Sequence, residues 1–501
     1  YSLEIVDLNE KKIDQKIKQV LDLRFIEENF IVPFEILGKT LKIAIPDSSK
    51  LSLMKNLKTM TQMEPELYAA TITNINNFIN RFKKLNNKKI SEHSVKVEKT
   101  QKDNEELIEV GSEVIVFVNK LITEAINLGA SDIHIECFRS AAQARFRIDG
   151  ILKVMSEYSK YLHDNYNAVI NRFKMISSLD IAERRKPQDG ASTFKAANKE
   201  VDLRVSILPT KNAERIVLRI LNKDAGEKKL SELGFEAQDL EKLIKSITNP
   251  QGMVLVTGPT GSGKTTTLYS ILKHINKPGM NILTAEDPVE YEMEGIGQVQ
   301  IREDIEFTFA SALRSFLRQD PEVILVGEMR DQITVDIALK AALTGHLVFS
   351  TLHTNDAPSS ITRLQNMGTP NYLIASALTL VMAQRLARKT CTECRVKDES
   401  VSVQLLNSIG FLPEQSSRAK IYKGEGCDHC NNTGYKGRMG VYEILEINKS
   451  LKQAILSNLQ QNELNALAKK NGFRPMQEMG HDLLLSGDLT FSEYSRVLQA
   501  N

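Results

Sequence analysis

The sequence predicts an α/β protein built from several domains. Its 501 residues exceed what a single hydrophobic core usually supports. From about residue 230, apolar strands alternate with helical patterns, which is typical of a parallel sheet covered by helices. Such a sheet binds its ligands at the carboxyl ends of its strands, so residues that follow a strand are the first candidates for a site. The candidate strands are Met253–Thr257, Ile282–Glu286, Val323–Val326 and Leu347–Thr351.

Three further regions precede this sheet. Residues 1–84 are predicted to form a small α/β domain, because Lys42–Pro46 is typical of a strand that ends in a Pro-Asp-Ser-Ser turn. Residues 85–108 are rich in Lys, Glu and Asn and contain no aromatic residue, which predicts a solvated linker. Residues 109–228 are predicted to be a second domain, in which a helix precedes short alternating strands. These strands are Asp132–Glu136, Ala144–Ile148, Val201–Ile207 and Arg215–Leu221.

The charge of the chain argues against a broad nucleic-acid surface. It carries 65 basic and 63 acidic residues, a formal net charge of +2, and only 6% aromatic residues. The apolar run Tyr372–Ala383 is shorter than the ~18 residues that a membrane span needs, and we interpret it as a buried helix. Tyr1 is followed by neither the basic nor the apolar region of a secretory signal. We therefore expect any association with a membrane to go through a partner.

One segment carries a phosphate-binding signature. Gly258–Thr265 fits the pattern G-x-x-x-x-G-K-[ST] and lies between an apolar strand and a helix-forming run, as the pattern requires. Backbone N–H groups of such a loop surround the phosphates of ATP, Lys264 reaches the β- and γ-phosphates, and the Thr265 hydroxyl binds Mg²⁺. The alternative, a glycine-rich turn that binds no nucleotide, is disfavoured by this context. The predicted nucleotide-binding residues are Gly258, Pro259, Thr260, Gly261, Ser262, Gly263, Lys264, Thr265 and Thr266.

Acidic and imidazole side chains follow the strands next to this loop. Glu328 comes after an apolar strand and Gly327, Glu286 ends another strand with Glu290 just beyond it, and His353 ends a third. Hydrolysis of ATP needs a carboxylate that orients water and groups that sense the γ-phosphate. Taken singly, each residue would more often be a solvated strand end. Their convergence on the edge that holds the phosphate loop predicts catalytic roles.

Four of the five cysteines form two C-x-x-C pairs within residues 388–440. In a large chain without a visible secretory signal, this arrangement favours a metal site over disulfides. Four thiolates are enough for tetrahedral Zn²⁺ with no position left for water, which indicates a structural zinc site. Four reduced thiols without a metal are the alternative. The predicted zinc ligands are Cys391, Cys394, Cys427 and Cys430.

Taken together, these motifs resemble those of the ATPases of type II secretion systems and type IV pilus assembly. The resemblance covers about residues 110–501. The tetracysteine element favours the secretion or assembly branch, because retraction ATPases of the family typically lack it. Besides the phosphate loop, the acidic box Glu286–Glu290 and the cysteines, the resemblance rests on the segments Gly129–Glu136, Arg184–Gly190, Leu317–Pro321, Val326–Asp331 and Thr344–Asp356.

The resemblance implies a domain organisation. It implies a partner-docking domain at 1–84, a PAS-like domain at 109–228, a RecA-like ATPase core at 229–387, a zinc-binding insertion at 388–440 and a helical region at 441–501. ATP is then held between the PAS-like domain and the ATPase core.

Roles for individual residues follow from the same resemblance. Arg204 and Arg219 match the arginines that reach nucleotide phosphates. Glu328 matches the carboxylate that handles Mg²⁺ and water, and His346 is expected to support the structure without touching phosphate. The expected catalytic residues are Glu328, Glu286, Glu290, His353, Arg204 and Arg219.

The resemblance also implies an oligomeric state, a cellular location and partners. We expect a homo-hexamer in the cytoplasm, peripheral to the inner membrane, that hydrolyses ATP to drive pseudopilus or pilus assembly. Its expected partners are an inner-membrane platform protein and a membrane-anchored docking protein bound by the N-terminal domain, without direct contact to nucleic acid. Two alternatives are a nucleic-acid-translocating motor and a scaffold that binds ATP without turnover. The sequence does not separate secretion, pilus assembly and DNA uptake.

Overall fold

A computed structural model describes residues 31–46, 63–71, 112–196, 199–221 and 228–499, together with isolated residues before position 79. The chain divides into two compact units, Tyr1–Glu106 and Leu107–Asn501. The predicted linker at 85–108 lies outside the described residues. Among the helices of the described ranges, none combines the length and the apolar character that crossing a membrane requires.

The first unit contains a three-stranded sheet. Strands β1 (Val32–Leu37) and β2 (Thr40–Ile45) are antiparallel, and β3 (Glu64–Ala69) pairs with β2 in parallel. The strand predicted at Lys42–Pro46 is confirmed as part of β2. Leu41 and Ile43 alternate into the core of this unit, whereas Lys42 between them reaches Glu35 of β1 at 3.4 Å.

The second unit begins with a six-stranded antiparallel sheet in the order β6-β5-β4-β9-β8-β7. Helices α1 (Ser112–Asn127) and α2 (Ser159–Ile176) share one apolar core with it. The four predicted strands of this region are confirmed. The strands are β4 (Ala130–Cys137), β5 (Ala142–Ile148), β6 (Ile151–Met155), β7 (Gln188–Ala196), β8 (Lys199–Pro209) and β9 (Glu214–Leu221).

A seven-stranded mixed sheet forms the centre of the second unit. Its order is β12-β11-β13-β14-β10-β15-β18, and neighbouring strands are parallel except β15 and β18. The predicted parallel sheet is therefore correct for six strands and wrong for the seventh. The strands are β10 (Gly252–Thr257), β11 (Ile282–Glu286), β12 (Ile296–Gln300), β13 (Val323–Val326), β14 (Leu347–Leu352), β15 (Leu378–Thr390) and β18 (Tyr435–Glu446).

Helices cover the mixed sheet and bury its strands. Every residue of β10, β13 and β14 is buried, which explains their continuous apolar runs. The helices between the strands are α3 (Ala237–Ile247), α4 (Lys264–Ile275), α5 (Phe309–Phe316), α6 (Gln332–Leu343), α7 (Ala357–Asn366) and α8 (Asn371–Ala377). Those after β18 are α11 (Lys449–Leu456), α12 (Gln461–Lys470), α13 (Met476–Ser486) and α14 (Phe491–Tyr494).

The run Tyr372–Ala383, predicted as one buried helix, is a helix followed by a strand. Helix α8 ends at Ala377, and β15 begins at Leu378 between β10 and β18. Residues on both faces of β15 are buried because helices pack against this part of the sheet, so the sequence lacks the alternation that reveals a half-exposed strand. A short apolar run of this kind cannot be distinguished from a buried helix by its period alone.

Four of the five cysteines lie in the connection of a long β-hairpin. Strands β15 and β18 are paired from Leu380, opposite Glu446, to Thr390, opposite Tyr435. Both strands therefore extend across the predicted domain boundaries at 387/388 and 440/441. The connection between them carries a small antiparallel sheet and two short helices. These elements are β16 (Arg395–Lys397), β17 (Tyr422–Gly424), α9 (Val403–Ser408) and α10 (Pro413–Arg418).

Candidate functional site

The phosphate loop connects β10 to the N-terminus of α4. Gly258 opens it with a φ of +144°, and a Cβ there would lie 2.4 Å from the backbone oxygen of Gln384. Gly263, with a φ of +90°, directly precedes the helix. Only glycine fits these two positions without strain, so the motif is required by backbone geometry as well as by any ligand. The loop therefore directs backbone N–H groups and a helix N-terminus to one point.

Lys264 is folded back onto its own loop. Its Nζ donates to the backbone oxygens of Gly258 at 2.9 Å and Pro259 at 3.1 Å. Burial lowers the pKa of Lys264, and the nearby Glu328 carboxylate opposes that shift. A phosphate group would offer the ammonium stronger acceptors than these neutral carbonyls.

Gln384 on β15 holds the loop from behind, and sequence reasoning missed it. Its Nε2 donates to the Ser262 backbone oxygen at 2.6 Å, and its Oε1 accepts from the Thr267 hydroxyl at 2.9 Å. The side chain is 1% exposed. A single polar residue within an apolar run was the available signal, but β15 itself was not recognised.

Glu328 and His353 meet at the carboxyl edge of the sheet, as predicted. Glu328 follows β13, His353 follows β14, and His353 Nε2 lies 3.4 Å from Glu328 Oε2. Arg330, another residue that sequence reasoning missed, binds Glu328 Oε1 and lies 3.4 Å from Asp287. The bond to Glu328 raises the pKa of Arg330. His346 lies at the other end of β14, where its Nδ1 is 3.0 Å from the backbone oxygen of Ala341.

The two members of the acidic box have different surroundings. Glu286 is buried, and both of its carboxylate oxygens accept hydrogen bonds, from Tyr269 and from Thr284 at 2.5 Å. Burial and this carboxylate raise the pKa of Tyr269. Glu290 instead pairs with Arg204 of β8 at 2.8 Å. Glu286 is thus bound within its own domain, whereas Glu290 joins the mixed sheet to the six-stranded sheet.

A cavity of about 1020 Å³, the interface cavity, lies between the two sheets. The mixed sheet contributes the phosphate loop, Glu286, Glu290, Glu328 and His353, and the six-stranded sheet contributes Arg219. Arg204 does not line it, because its guanidinium is held by Glu290 and the Val289 backbone oxygen. Cavity residues that sequence reasoning missed are Asp132, His134, Arg147, Arg385, Arg438 and Arg496.

His134 of β4 also lines this cavity. Burial lowers its pKa, and the nearby Arg147 and Arg215 lower it further. The Arg215 guanidinium lies 3.2 Å from Nδ1 and can only donate, so Nδ1 accepts and Nε2 carries the proton. The side chain can thus offer one N–H group to a ligand.

The four cysteines of the insertion form one cluster. Their sulfur atoms all lie within 4.8 Å of one another, with Cys391–Cys427 and Cys394–Cys430 at 3.8 Å. Four sulfurs bound tetrahedrally to zinc at about 2.3 Å would be about 3.8 Å apart, so the cluster fits this metal. Burial alone would raise the pKa of Cys430, but the backbone N–H groups of Cys427 and Gly434 lower it to about 6, whereas burial raises the pKa of Cys394 to about 12 and the pKa of Cys427 is also raised. These donors favour the thiolate that a metal requires.

Sequence comparison agrees with this geometry. A family model described as Type II/IV secretion system protein matches residues 109–496, and one described as MshEN domain matches residues 1–86. The type IV pilus assembly ATPase PilB of Myxococcus xanthus (strain DK1622) is 39% identical over 503 residues, covering 98% of this chain and 88% of PilB. The type II secretion system protein HxcR of Pseudomonas aeruginosa is 44% identical over 387 residues, covering 77% of this chain and 78% of HxcR.

Two solved structures share the fold of this chain. The pilus retraction motor PilT, solved with bound ADP, is 27% identical, with a TM-score of 0.51 over 75% of this chain and 96% of PilT. The Legionella pneumophila ATPase DotB is 22% identical, with a TM-score of 0.54 over 76% of this chain and 95% of DotB, and shows the fold alone. The predicted resemblance is confirmed: the chain belongs to the type II/IV secretion system protein family.

Proposed function

We propose that this protein is a motor ATPase that hydrolyses ATP to drive pseudopilus or pilus assembly in a secretion or type IV pilus-type system. The observation that carries this proposal is the interface cavity. Its volume of about 1020 Å³ is sufficient for a nucleotide, and it joins the phosphate loop to Glu328, His353 and Arg219. The names of the relatives, a pilus assembly ATPase and a type II secretion protein, support the coupling to assembly.

The phosphate loop is proposed to hold the triphosphate. Residues 258–266 line the cavity from Pro259 onwards, and α4 directs its N-terminus to the same place. Lys264 would leave the carbonyls of its own loop for the β- and γ-phosphates. The exposed Thr265 hydroxyl and the Glu328 carboxylate are hard oxygen donors of the kind that Mg²⁺ prefers. When bound there, Mg²⁺ would neutralise charge that develops on the phosphates.

Glu328 is proposed to orient the attacking water. Arg330 binds its Oε1, while Oε2 faces His353, so the second oxygen remains available for a hydrogen bond from water. His353 is 54% exposed on the cavity side and can contact the γ-phosphate. Glu286 was predicted to be catalytic, and its proposed role is indirect. Its carboxylate fixes Tyr269, whose hydroxyl accepts a hydrogen bond from the backbone N–H of Glu290.

The two arginines of the six-stranded sheet are proposed to complete the site. Arg219 already lines the cavity. Arg204 would exchange Glu290 for a phosphate when the two sheets approach each other around ATP. Such an exchange would couple nucleotide binding to movement between domains, as a motor requires.

The cysteine cluster is proposed to bind structural Zn²⁺. The four ligands leave no open coordination position, so the ion would cross-link the connection between β15 and β18 without taking part in hydrolysis. Backbone N–H groups of Gly426 and Gly434 donate to the sulfur atoms of Cys394 and Cys430 at 3.2 and 3.3 Å. Such donors stabilise thiolate ligands.

The remaining assignments extend this proposal. We propose a docking domain at 1–84, a linker at 85–108, a PAS-like domain at 109–228 and a RecA-like core from 229 that includes β15 and β18, with the zinc-binding insertion in the connection between these two strands and a helical region after β18. The motor would act as a homo-hexamer in the cytoplasm, peripheral to the inner membrane. The N-terminal domain, which the MshEN family model matches, would bind the membrane-anchored docking protein, and the platform protein would be a second partner.

Replacing Glu328 with Gln tests the proposed reaction. The variant should still bind ATP but release phosphate at least about a hundredfold more slowly, because the amide cannot act as a base. Glu292→Gln, an exposed residue outside the cavity, is the matched control and should retain full turnover. Unchanged phosphate release by Glu328→Gln would contradict the proposal. Stimulation of turnover by DNA would favour a nucleic-acid motor instead.

A further inference from the structure

A row of charged side chains crosses the six-stranded sheet on the face that borders the interface cavity. Arg147 of β5 pairs in register with Asp132 of β4, Asp132 with Arg219 of β9, and Arg219 with Arg204 of β8. Residues directly opposite on neighbouring strands lie about 5 Å apart, and like charges there repel. The single carboxylate of the row therefore lies between two guanidinium groups.

Asp132 contacts both of these neighbours. Its Oδ1 accepts from Arg219 Nε at 3.4 Å, and its Oδ2 accepts from the Ser131 hydroxyl at 2.8 Å and forms an ion pair with Arg147, whose Nε lies 3.1 Å away. The Asp132 side chain is 12% exposed and that of Arg219 59%. The carboxylate is thus fixed in the sheet, and it contacts Arg219 through Nε. Within the described part of the chain, no side chain or backbone group binds the two terminal nitrogens of Arg219, which can therefore reach into the cavity that this residue lines.

We infer that Asp132 is a positioning residue for ATP binding, which orients Arg219 so that its terminal N–H groups meet a phosphate oxygen. This inference rests on the proposed role of Arg219 in binding phosphate. A free arginine side chain loses rotamer entropy when it binds, and a partner that already restricts it reduces this loss. Asp132 also lines the cavity, where its carboxylate is paired with two arginines.

The same strand provides a matched control. Glu136 follows Asp132 by four residues on the same face of β4. It also binds two arginines, Arg145 at 2.7 Å and Arg215 at 2.9 Å. It does not line the interface cavity. Loss of either carboxylate should weaken the sheet, but only loss of Asp132 should change the affinity for ATP.

The test is a double-mutant cycle on the full chain. Arg219→Ala should raise KM for ATP about tenfold, the factor that corresponds to about 1.4 kcal/mol. Asp132→Asn should raise it about fivefold, with kcat changed less than KM. The double variant should match Arg219→Ala alone, because a residue that acts through Arg219 has no effect once Arg219 is gone. Glu136→Gln should lower the melting temperature at least as much as Asp132→Asn while leaving KM unchanged.

Each contrary result has a defined meaning. If Arg219→Ala leaves KM unchanged, the proposed role of Arg219 fails and the inference fails with it. If Arg219→Ala raises KM but Asp132→Asn does not, or if the two effects multiply in the double variant, only the inference fails. An equal rise of KM in Glu136→Gln would show a general effect of sheet integrity and would overturn the inference. Should Asp132→Asn not fold, Asp132→Glu keeps the charge and shifts it by one methylene, and the same comparison of KM applies.

Discussion

The phosphate loop and the charged row of the six-stranded sheet border the same cavity, but different forces hold them. The loop is fixed by positive φ angles and by the buried Gln384, which is 1% exposed. The row is fixed by ion pairs between side chains that are partly exposed, such as Arg219 at 59%. An exposed ion pair contributes about 0.2–1 kcal/mol, whereas an unsatisfied buried polar group costs about 1–3 kcal/mol.

This difference separates a rigid half of the site from an adjustable one. The loop cannot rearrange without losing buried hydrogen bonds, so it can serve as a fixed binding point for phosphate. The arginines can exchange one partner for another at little cost, so they can respond to the nucleotide that is present. A motor needs both properties, and the two sheets supply one each.

Loss of Lys264 should give the largest effect. Lys264→Ala removes the one cation within the loop, and turnover of ATP should fall by about a hundredfold or more. Phosphate release and the melting temperature should be measured together. The control Lys277→Ala, an exposed lysine beyond the end of α4, should behave as wild type. Normal turnover in Lys264→Ala would contradict the role of the phosphate loop as the fixed binding point for phosphate.

Loss of Gln384 should be the next largest effect. Gln384→Leu leaves the Ser262 oxygen and the Thr267 hydroxyl without their partner, so the loop should lose its fixed shape and KM should rise about tenfold. Thr379→Val is the matched control. It lies on the same strand and loses one hydrogen bond of 2.8 Å to Met253, at the opposite end of β10. If both variants bind ATP equally well, the loop does not depend on this support.

The cysteine cluster should affect stability more than ATP affinity, because none of its members lines the cavity. Cys394→Ser should reduce bound zinc well below one per chain and lower the melting temperature, with KM changed by less than about twofold. Cys137→Ser, which alters the cysteine outside the cluster, should change none of these quantities. Wild-type protein that contains no zinc would contradict the proposed site.

The smallest effect concerns Glu443, a buried carboxylate of β18. It accepts from the backbone N–H groups of Ala357 at 2.6 Å and Met476 at 2.8 Å and so joins two helices to the sheet. Burial raises its pKa to about 7, Asp356 adds to this rise, and the two N–H groups and Arg385 oppose it. A raised pKa means that the native state binds the proton more tightly, so this contribution to stability is lost as the pH rises towards 7.

Measurements of melting temperature at about pH 5.5 and about pH 8 test this assignment. The wild type should lose more stability over this interval than Glu443→Gln, which cannot titrate. Equal losses in the two proteins would contradict a titration of Glu443 within this interval.

The phosphate loop and the residues that follow the strands were predictable from the sequence, whereas the side-chain contacts that support the loop and hold the arginines were not. A loop that needs glycine at fixed positions leaves a contiguous motif, and strand ends at one sheet edge predicted the meeting of Glu328 and His353. The C-x-x-C pairs likewise predicted one cluster of sulfurs. Each of these features is encoded by residues close together in the sequence or by the strand order of a known architecture.

The unpredicted features depend on partners that are far apart in the chain. Gln384 supports a loop that lies more than a hundred positions earlier in the chain. It belongs to β15, which is buried on both faces and therefore lacks the alternating pattern by which a strand is recognised. Arg204 was expected at the phosphates, but it is bound by Glu290 of the other sheet. Long charged side chains have many possible partners, and only the packing of the domains selects among them.

The most direct test of the account is a structure of this protein with a non-hydrolysable ATP analogue and Mg²⁺. We predict that Lys264 Nζ leaves the carbonyls of Gly258 and Pro259 for the β- and γ-phosphates, while Arg219 reaches a phosphate oxygen and keeps its contact to Asp132. A nucleotide bound elsewhere, or Lys264 still on its own loop with the cavity empty, would contradict the account.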